Sequence, residues 1–440
     1  MLFKQIRKHY IFLVIPCMML FIILDTSIIN IYDLVNKSYH SLEFKKYFFA
    51  ITSITCLILE IVIINHIRKL FVTNQLINKS KFKIINTYVL ISQYLLIFLV
   101  SLINFQQFYF NYYDSLLLMF IVIISYGIPS ILLLQTATLF LRWYKINKKM
   151  IPLLYFVSLI MLVFNFIIIN IVVNVSIDLR PDHTREFIGG SMNILTGKYE
   201  VLNFYYGVST ILSFVSIWFT TTILLYSSES KGSIQVRYLF LLGLPLFYFL
   251  IGYFGQNTIY KFLFSFDFAN PIYISIFLTL IFSLSKPVGG IIFGIVFWNA
   301  AKLFPYNKLI KEYLIYTGIG FLFLFSANQS TILAFTPYPP FGVTAITILI
   351  ISSYFILIGI STSANLIAKN VKLRQSIYQI TKESNLLNLI GSAEMEKEMK
   401  ETMKKIMKKT ESIQQDKEEQ IDENKLRQYL EDVIKELKNK

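Results

Sequence analysis

Again and again along this chain, 17 to 25 consecutive residues pass with scarcely a charge, and that habit decides most of what it can fold into. A bilayer core about 30 Å thick takes about 20 apolar residues to cross as an α-helix. Lipid offers no partner to backbone N–H and C=O groups, so each such run must be helical throughout. A spanning β-barrel would instead need strands of about ten residues with alternating polarity, a pattern the runs do not show. With 55% hydrophobic residues, 15% charged residues and a mean hydropathy of +0.59, a soluble enzyme is excluded. The expected fold class is all-α: a polytopic transmembrane helix bundle over residues 1–368 with a short cytoplasmic helical tail over 369–440.

About ten spans are expected, near residues 10–31, 47–67, 84–108, 115–141, 151–175, 204–226, 238–254, 271–285, 313–335 and 342–368. The first follows Lys4, Arg7 and Lys8 but has no small-residue cleavage site, so it reads as a retained signal anchor. The net charge of +15 resembles a nucleic-acid footprint until it is mapped. From residue 369 onward there are 16 basic and 14 acidic residues, a balance of +2, which leaves +13 in and between the spans. With the N-terminus inside, the inner loops up to Arg237 hold fourteen Lys and Arg and the outer loops seven. That bias places both termini in the cytoplasm of a multi-pass cell-membrane protein, with the lipid bilayer and not nucleic acid as its partner. Cys17 and Cys56 fall within apolar segments and read as packing residues.

The stretch 286–301 is awkward. Lys286 and Pro287 open an apolar run that stops at Lys302, and a crossing there would put Lys302, Lys308, Lys311 and the tail on the outer side. It is therefore expected to be re-entrant or a Pro-kinked extension of the eighth span. Its Gly290 and Gly294 have the GxxxG spacing that lets helices approach closely in lipid. The outer-edge aromatics Phe105, Phe108, Tyr109, Phe110, Tyr112 and Tyr113 fit an interfacial belt. The one long outer loop, Ser176 to Asn203, carries Asp182 beside His183 without a second ligand at metal spacing and reads as a solvated connection.

Ionisable groups inside lipid are costly, so those present are the first functional candidates. Asp25 lies about 22 Å above the inner edge of the first span and Glu60 about 10 Å above the inner face, so a direct pair is not expected. Each is either a proton or cation stop on a pathway or a carboxyl bonded to polar groups of a neighbouring helix. Gln93, Gln135, Asn165 and Asn170 thread other spans, and Asn328, Gln329, Ser330 and Thr331 form a polar block at a span end that either faces a cavity or is an ordinary helix terminus. Lys261, Lys286 and Lys302 all sit at span edges. No phosphate loop, HExxH, GxSxG or paired Cys/His spacing occurs, so neither an enzyme, nor a metal, nor a cofactor is expected.

At Lys369 the composition changes to charged and proline-free. Met395, Met399, Met403 and Ile406 step by three and four along one helix, and Leu426, Leu430, Val433 and Leu437 along a second. Two such narrow stripes do not make a domain alone, so they point to a homo-oligomer or a cytosolic protein partner, or to helices folded back on the membrane face. The segments Ser285 to Gly290 (SKPVGG), Phe335 to Gly342 (FTPYPPFG) and Val371 to Ile377 (VKLRQSI) resemble those of uncharacterised multi-spanning membrane proteins of ammonia-oxidising archaea. The resemblance covers the last third of the chain and implies an archaeal membrane location without an activity. The tail makes a sensory or scaffolding membrane protein the leading expectation, and Glu60 makes a secondary transporter or channel its rival.

Overall fold

The computed structural model describes residues 14–25, 41–73, 80–179, 199–228, 235–255, 284–302, 307–328, 339–369, 389–397, 399–400 and 402–403, with isolated positions 259, 281 and 304. Among them the chain is a helix bundle without strands. In order these are α1 (Val14–Asp25), α2 (Ser41–Thr73), α3 (Ser80–Phe110), α4 (Ser115–Asn147), α5 (Met150–Asp178) and α6 (Glu200–Ser228). They continue with α7 (Gln235–Leu250, run on by a wider turn over Ile251–Gly255), α8 (Ser285–Lys302), α9 (Lys308–Ala327), α10 (Val343–Lys369) and the tail helix α11 (389–397). Seven of them, α2 to α6, α9 and α10, are long and apolar enough to cross a membrane, and the protein is an integral membrane protein. Of the other three expected spans, the first is described over Val14–Asp25 and the seventh within α7, while most of 271–285 lies outside the described residues.

Short connections fix the neighbours. Asp114 caps α4 by accepting from the Leu116 N–H at 3.0 Å. Lys148, in the left-handed region at φ 50°, turns α4 into α5, and its N–H closes on the Tyr144 carbonyl. Two helices joined so tightly must run antiparallel, and Tyr126 duly packs on Phe166 and Phe140 stacks on Tyr155. α5 in turn grips α6 through Ser158 to Thr220 at 2.8 Å and Asn165 to Ser209 and Thr210 at 3.0 Å each.

The centre of the bundle is α10. Every residue of its most apolar 18-residue stretch is buried, and α2, α3, α4 and α9 pack around it. Close approach is a matter of glycine. A Cβ on Gly320 would lie 2.8 Å from the Ser352 carbonyl of α10, and one on Gly359 would collide with Thr317 and the Tyr313 carbonyl of α9. The outward sides of α2, α3 and α4 expose Ile51, Phe98 and Phe120, as lipid-facing surfaces do. Of the aromatics expected to form an interfacial belt, Phe105, Phe108, Tyr109, Phe110 and Tyr112 are exposed, whereas Tyr113 is buried.

The stretch 286–301 is helical throughout. It is a helix in its own right, α8, lying antiparallel along α9 with Gly294 against Gly318, Gly290 against Leu322, and the Trp298 indole reaching the Ile315 carbonyl. Pro287 sits in its first turn, where a missing N–H costs nothing, so it starts the helix instead of kinking one. The GxxxG pair supplies the contact, as its spacing implied: a Cβ on Gly294 would stand 2.7 Å from the Gly318 carbonyl. Because α9 is antiparallel to α10, Lys302, Lys308 and Lys311 share the end of the bundle that holds Arg68 and from which α10 emerges, hereafter the basic end.

α10 is also displaced along the bundle. Lys46 meets Asn111 at the end opposite the basic one. Glu60, fourteen residues on from Lys46 and about 21 Å deeper, bonds to Thr347, only four residues into α10. α10 therefore begins about 15 Å inside that edge and runs correspondingly far past the basic end. Its projecting end is covered by α11: Gly391 lies on Ile367, Asn147 of α4 donates to the Leu389 carbonyl and Ser392, and the Trp143 indole donates to Glu394 at 3.0 Å.

Candidate functional site

A helix that starts inside the bundle brings its unpaired N-terminal N–H groups with it. Gly342, with φ 84°, makes the sharp entry to α10, a backbone region that favours glycine. Onto this first turn converge the two intramembrane acids. Asp25, at the end of α1, accepts from the Thr344 hydroxyl at 2.5 Å and from the Ala345 N–H at 3.3 Å through one oxygen, Oδ2. Glu60 of α2 accepts from the Thr347 hydroxyl at 2.5 Å through Oε1 and from the Gln93 amide of α3 at 2.8 Å through Oε2. Both acids have 0% exposure. The anion-favouring end of the helix dipole thus meets both carboxyls.

The 12 Å separation in depth expected from residue counting is therefore corrected. Thr344 and Thr347 are one turn apart, about 4.5 Å along α10, and the acids they bind are that close in depth. Counting failed because it set each helix at the membrane edge, whereas α1 meets α10 well inside it. The acids still do not bond to each other; each has its own threonine. Cys56, one turn from Glu60 on α2, is buried within electrostatic reach of both carboxyls.

Two oxygens of this cluster, Asp25 Oδ1 and Gln93 Oε1, are buried without a well-formed hydrogen bond among the described residues, although the Gly342 N–H also lies near the Asp25 carboxyl. Buried acceptors without donors are rare, and what satisfies them is a proton on the carboxyl, a water or a bound cation. The ligand atoms that converge are carboxyl, hydroxyl and amide oxygens, which suit a hard cation. Among the described residues no group of three His, Cys, Asp or Glu could hold a metal ion.

The cluster has two unlike sides. Towards the edge marked by Lys46 it is lidded by Phe341, whose ring packs at 5.3 Å on Phe49 and 6.4 Å on Phe48. Towards the basic end polar groups continue: Tyr354 donates to Asn86 at 3.1 Å, and His66, six residues along α2 from Glu60, meets the Tyr316 hydroxyl at 2.7 Å. His66 carries no pattern of its own in the sequence. Only the spacing of six from Glu60, about 9 Å on one helix, hinted at it.

The polar block at the end of α9 is seen in its first member. Asn328 caps α9, donates to Asn165 of α5 at 3.3 Å, and its carbonyl accepts from Lys286 at 3.0 Å. Gln329, Ser330 and Thr331 lie outside the described residues. Lys286, assigned above to a span edge, instead sits level with the C-terminus of α9, at the depth of Asn165 in the middle of α5. There its charge complements the carbonyl end of the helix dipole. Among the hydrogen bonds described, Gln135 and Asn170 reach neither cluster; Asn170 accepts from Asn174 on its own helix. In the tail, Met395, Met399 and Met403 are half-buried, the buried apolar side chains being Leu389, Ile390 and Ala393, while Ile406, Leu426, Leu430, Val433 and Leu437 lie outside the described residues.

No protein-family model, curated protein or solved structure matches the chain.

Proposed function

We propose that this membrane protein is a secondary transporter or channel in which Asp25 and Glu60 hold the moving proton or small hard cation at the start of α10. The observation that carries the reading is the convergence of two fully buried acids, from different helices, on the first turn of a helix that begins about 15 Å inside the bundle. Half-helix ends inside a membrane are where transporters hold ions and charged substrates. Two acids buried for stability alone would be a poor choice, since hydrophobic replacements do as well or better. The geometry supports a state closed by Phe341 on one side, with His66, Tyr316 and Glu60 stepping towards the basic end, which the loop charges assign to the cytoplasm.

The test is flux in proteoliposomes made with full-length protein, first under a pH gradient and then under sodium and potassium gradients with a set membrane potential. Glu60→Gln and Asp25→Asn, which keep shape and lose charge, are expected to abolish the flux of wild type. Unchanged flux in both would remove the acids from the mechanism. No flux of any of the three ions through folded wild type would overturn the transport reading itself.

The sensory or scaffolding reading is favoured by a different observation, the docking of α11 on α4 and α10. On that reading the tail reports the position of α10 to itself or to a cytosolic partner. Deleting residues 381–440 should then change oligomeric mass or the proteins that co-purify, and an unchanged pattern on both counts would sink it.

A further inference from the structure

Away from both polar clusters, between α1 and the α8–α9 hairpin, lies a groove of about 470 Å³. One wall is a single face of α9, since Lys311, Ile315, Ile319 and Leu322 recur at the helical period. The other is one face of α8, with Trp298 and Lys302 one turn apart, and Ile15 of α1 closes the floor. The groove is apolar except at one end. There Lys302 and Lys311 stand exposed at the basic end of the hairpin, Lys302 touching only the Asn299 side chain at 3.2 Å among the hydrogen bonds described. Glu312, the acid next to Lys311 in the chain, is not among the residues that line the groove and lies within electrostatic reach of Tyr316.

We propose that this groove holds one acyl chain of an anionic phospholipid whose phosphate is gripped by Lys302 and Lys311. Length, polarity and charge all fit. From Lys311 to Leu322 the wall runs about 16 Å, a good part of one leaflet of a 30 Å hydrocarbon core. The lining is hydrocarbon where a chain would lie and cationic where a headgroup would sit. Basic pockets between helices at the cytoplasmic face recognise anionic headgroups in this manner. A detergent or zwitterionic lipid fills the same volume but leaves the two ammonium groups without a counter-charge, so selectivity resides in the lysines and retention in the groove. The lipid would brace α1 against the α8–α9 hairpin, and α1 is the helix that carries Asp25.

The experiment uses full-length protein in mild detergent, titrated with phosphatidylglycerol or phosphatidylcholine of equal chain length and read by native mass spectrometry. One phosphatidylglycerol per chain is expected to survive activation that strips phosphatidylcholine. The double variant Lys302→Gln/Lys311→Gln should lose that preference about tenfold, close to 1.4 kcal/mol by the standard conversion. Ile319→Trp, which fills the groove and leaves the lysines, should lose the adduct altogether. Phosphatidylglycerol carrying a dibrominated acyl chain should quench Trp298 at low mole fraction, with Trp298→Phe subtracting the other tryptophans, whereas the brominated choline lipid should not. Equal retention of the two lipids by wild type would overturn the proposal. An adduct lost in the lysine variant but kept in Ile319→Trp would also overturn it, by showing a headgroup held on the surface with the groove empty or filled by residues 1–13.

Discussion

Thr347→Val tests the proposed site most directly, because it alters one atom and little volume. Valine replaces the hydroxyl that donates to Glu60 Oε1 at 2.5 Å, leaving the acid with Gln93 alone. A buried acceptor stripped of its donor costs about 1–3 kcal/mol in soluble proteins. Inside membranes hydrogen bonds measured by double-mutant cycles average about 0.6 kcal/mol with a maximum of about 1.7. Glu60 is fully buried and offers Thr347 no water to fall back on, so the upper part of the membrane range applies, about 1.5 kcal/mol. In a Glu60→Leu background the acceptor is gone. There the single hydroxyl proton of Thr347 is left to the Thr344 carbonyl, 2.7 Å away, while Gln93 keeps its contact with the Thr347 carbonyl; the same substitution then removes only an intrahelical back-bond and should cost under about 0.5 kcal/mol. The coupling is then about 1 kcal/mol, a fivefold change in the unfolding equilibrium. Denaturant unfolding of the four proteins in mixed micelles, followed by tryptophan fluorescence, measures it. If Thr347→Val costs the same in both backgrounds, the hydroxyl does not serve Glu60 and the arrangement at the start of α10 is wrong.

Two further outcomes concern packing and the tail. Gly294→Val should destabilise by about 1–3 kcal/mol, because its Cβ would meet the Gly318 backbone, which cannot move aside, whereas Gly127→Ala on α4, with nothing within 4 Å of its Cβ, should be neutral or gain up to about 1 kcal/mol. Detergent melting curves separate the two, and equal shifts would mean that α8 and α9 do not approach as closely as described. Trp143→Phe removes the donor to the buried Glu394 carboxylate and should loosen α11, so limited proteolysis is expected to clip the chain near residues 389–403 several-fold faster while the spans stay intact. An unchanged clipping rate would detach Trp143 from the docking of the tail.

Hydropathy made the spans legible because lipid leaves a chain no other choice: an apolar run of sufficient length has to be helical. The GxxxG pair was legible for a similarly local reason, since a missing side chain can only mean a near neighbour, and Gly318 is that neighbour. Asp25 and Glu60 could be named as candidates from their cost alone. Where they sit could not be read, because depth was counted from the nearest edge of each span and that count presumes each helix begins at the membrane surface. α10 does not. Its first turn is set deep by Gly342 and by the packing of Phe341 on Phe49, contacts between residues nearly three hundred positions apart that no local pattern records. The same presumption placed Lys286 at an edge, since a lysine before a proline reads as the end of an apolar run, when the carbonyl terminus of α9 awaits it inside the bundle. Both corrections run the same way. A charge near a helix end is ambiguous in sequence between the membrane surface and an interrupted helix, and the sign of the charge breaks the tie. Acids meet the N-terminus of α10 and a lysine meets the C-terminus of α9, each opposite to the dipole charge it faces. Surface placement imposes no such matching, so the two clusters are better read as the two ends of one break between α9 and α10 than as stray charges that failed to reach water.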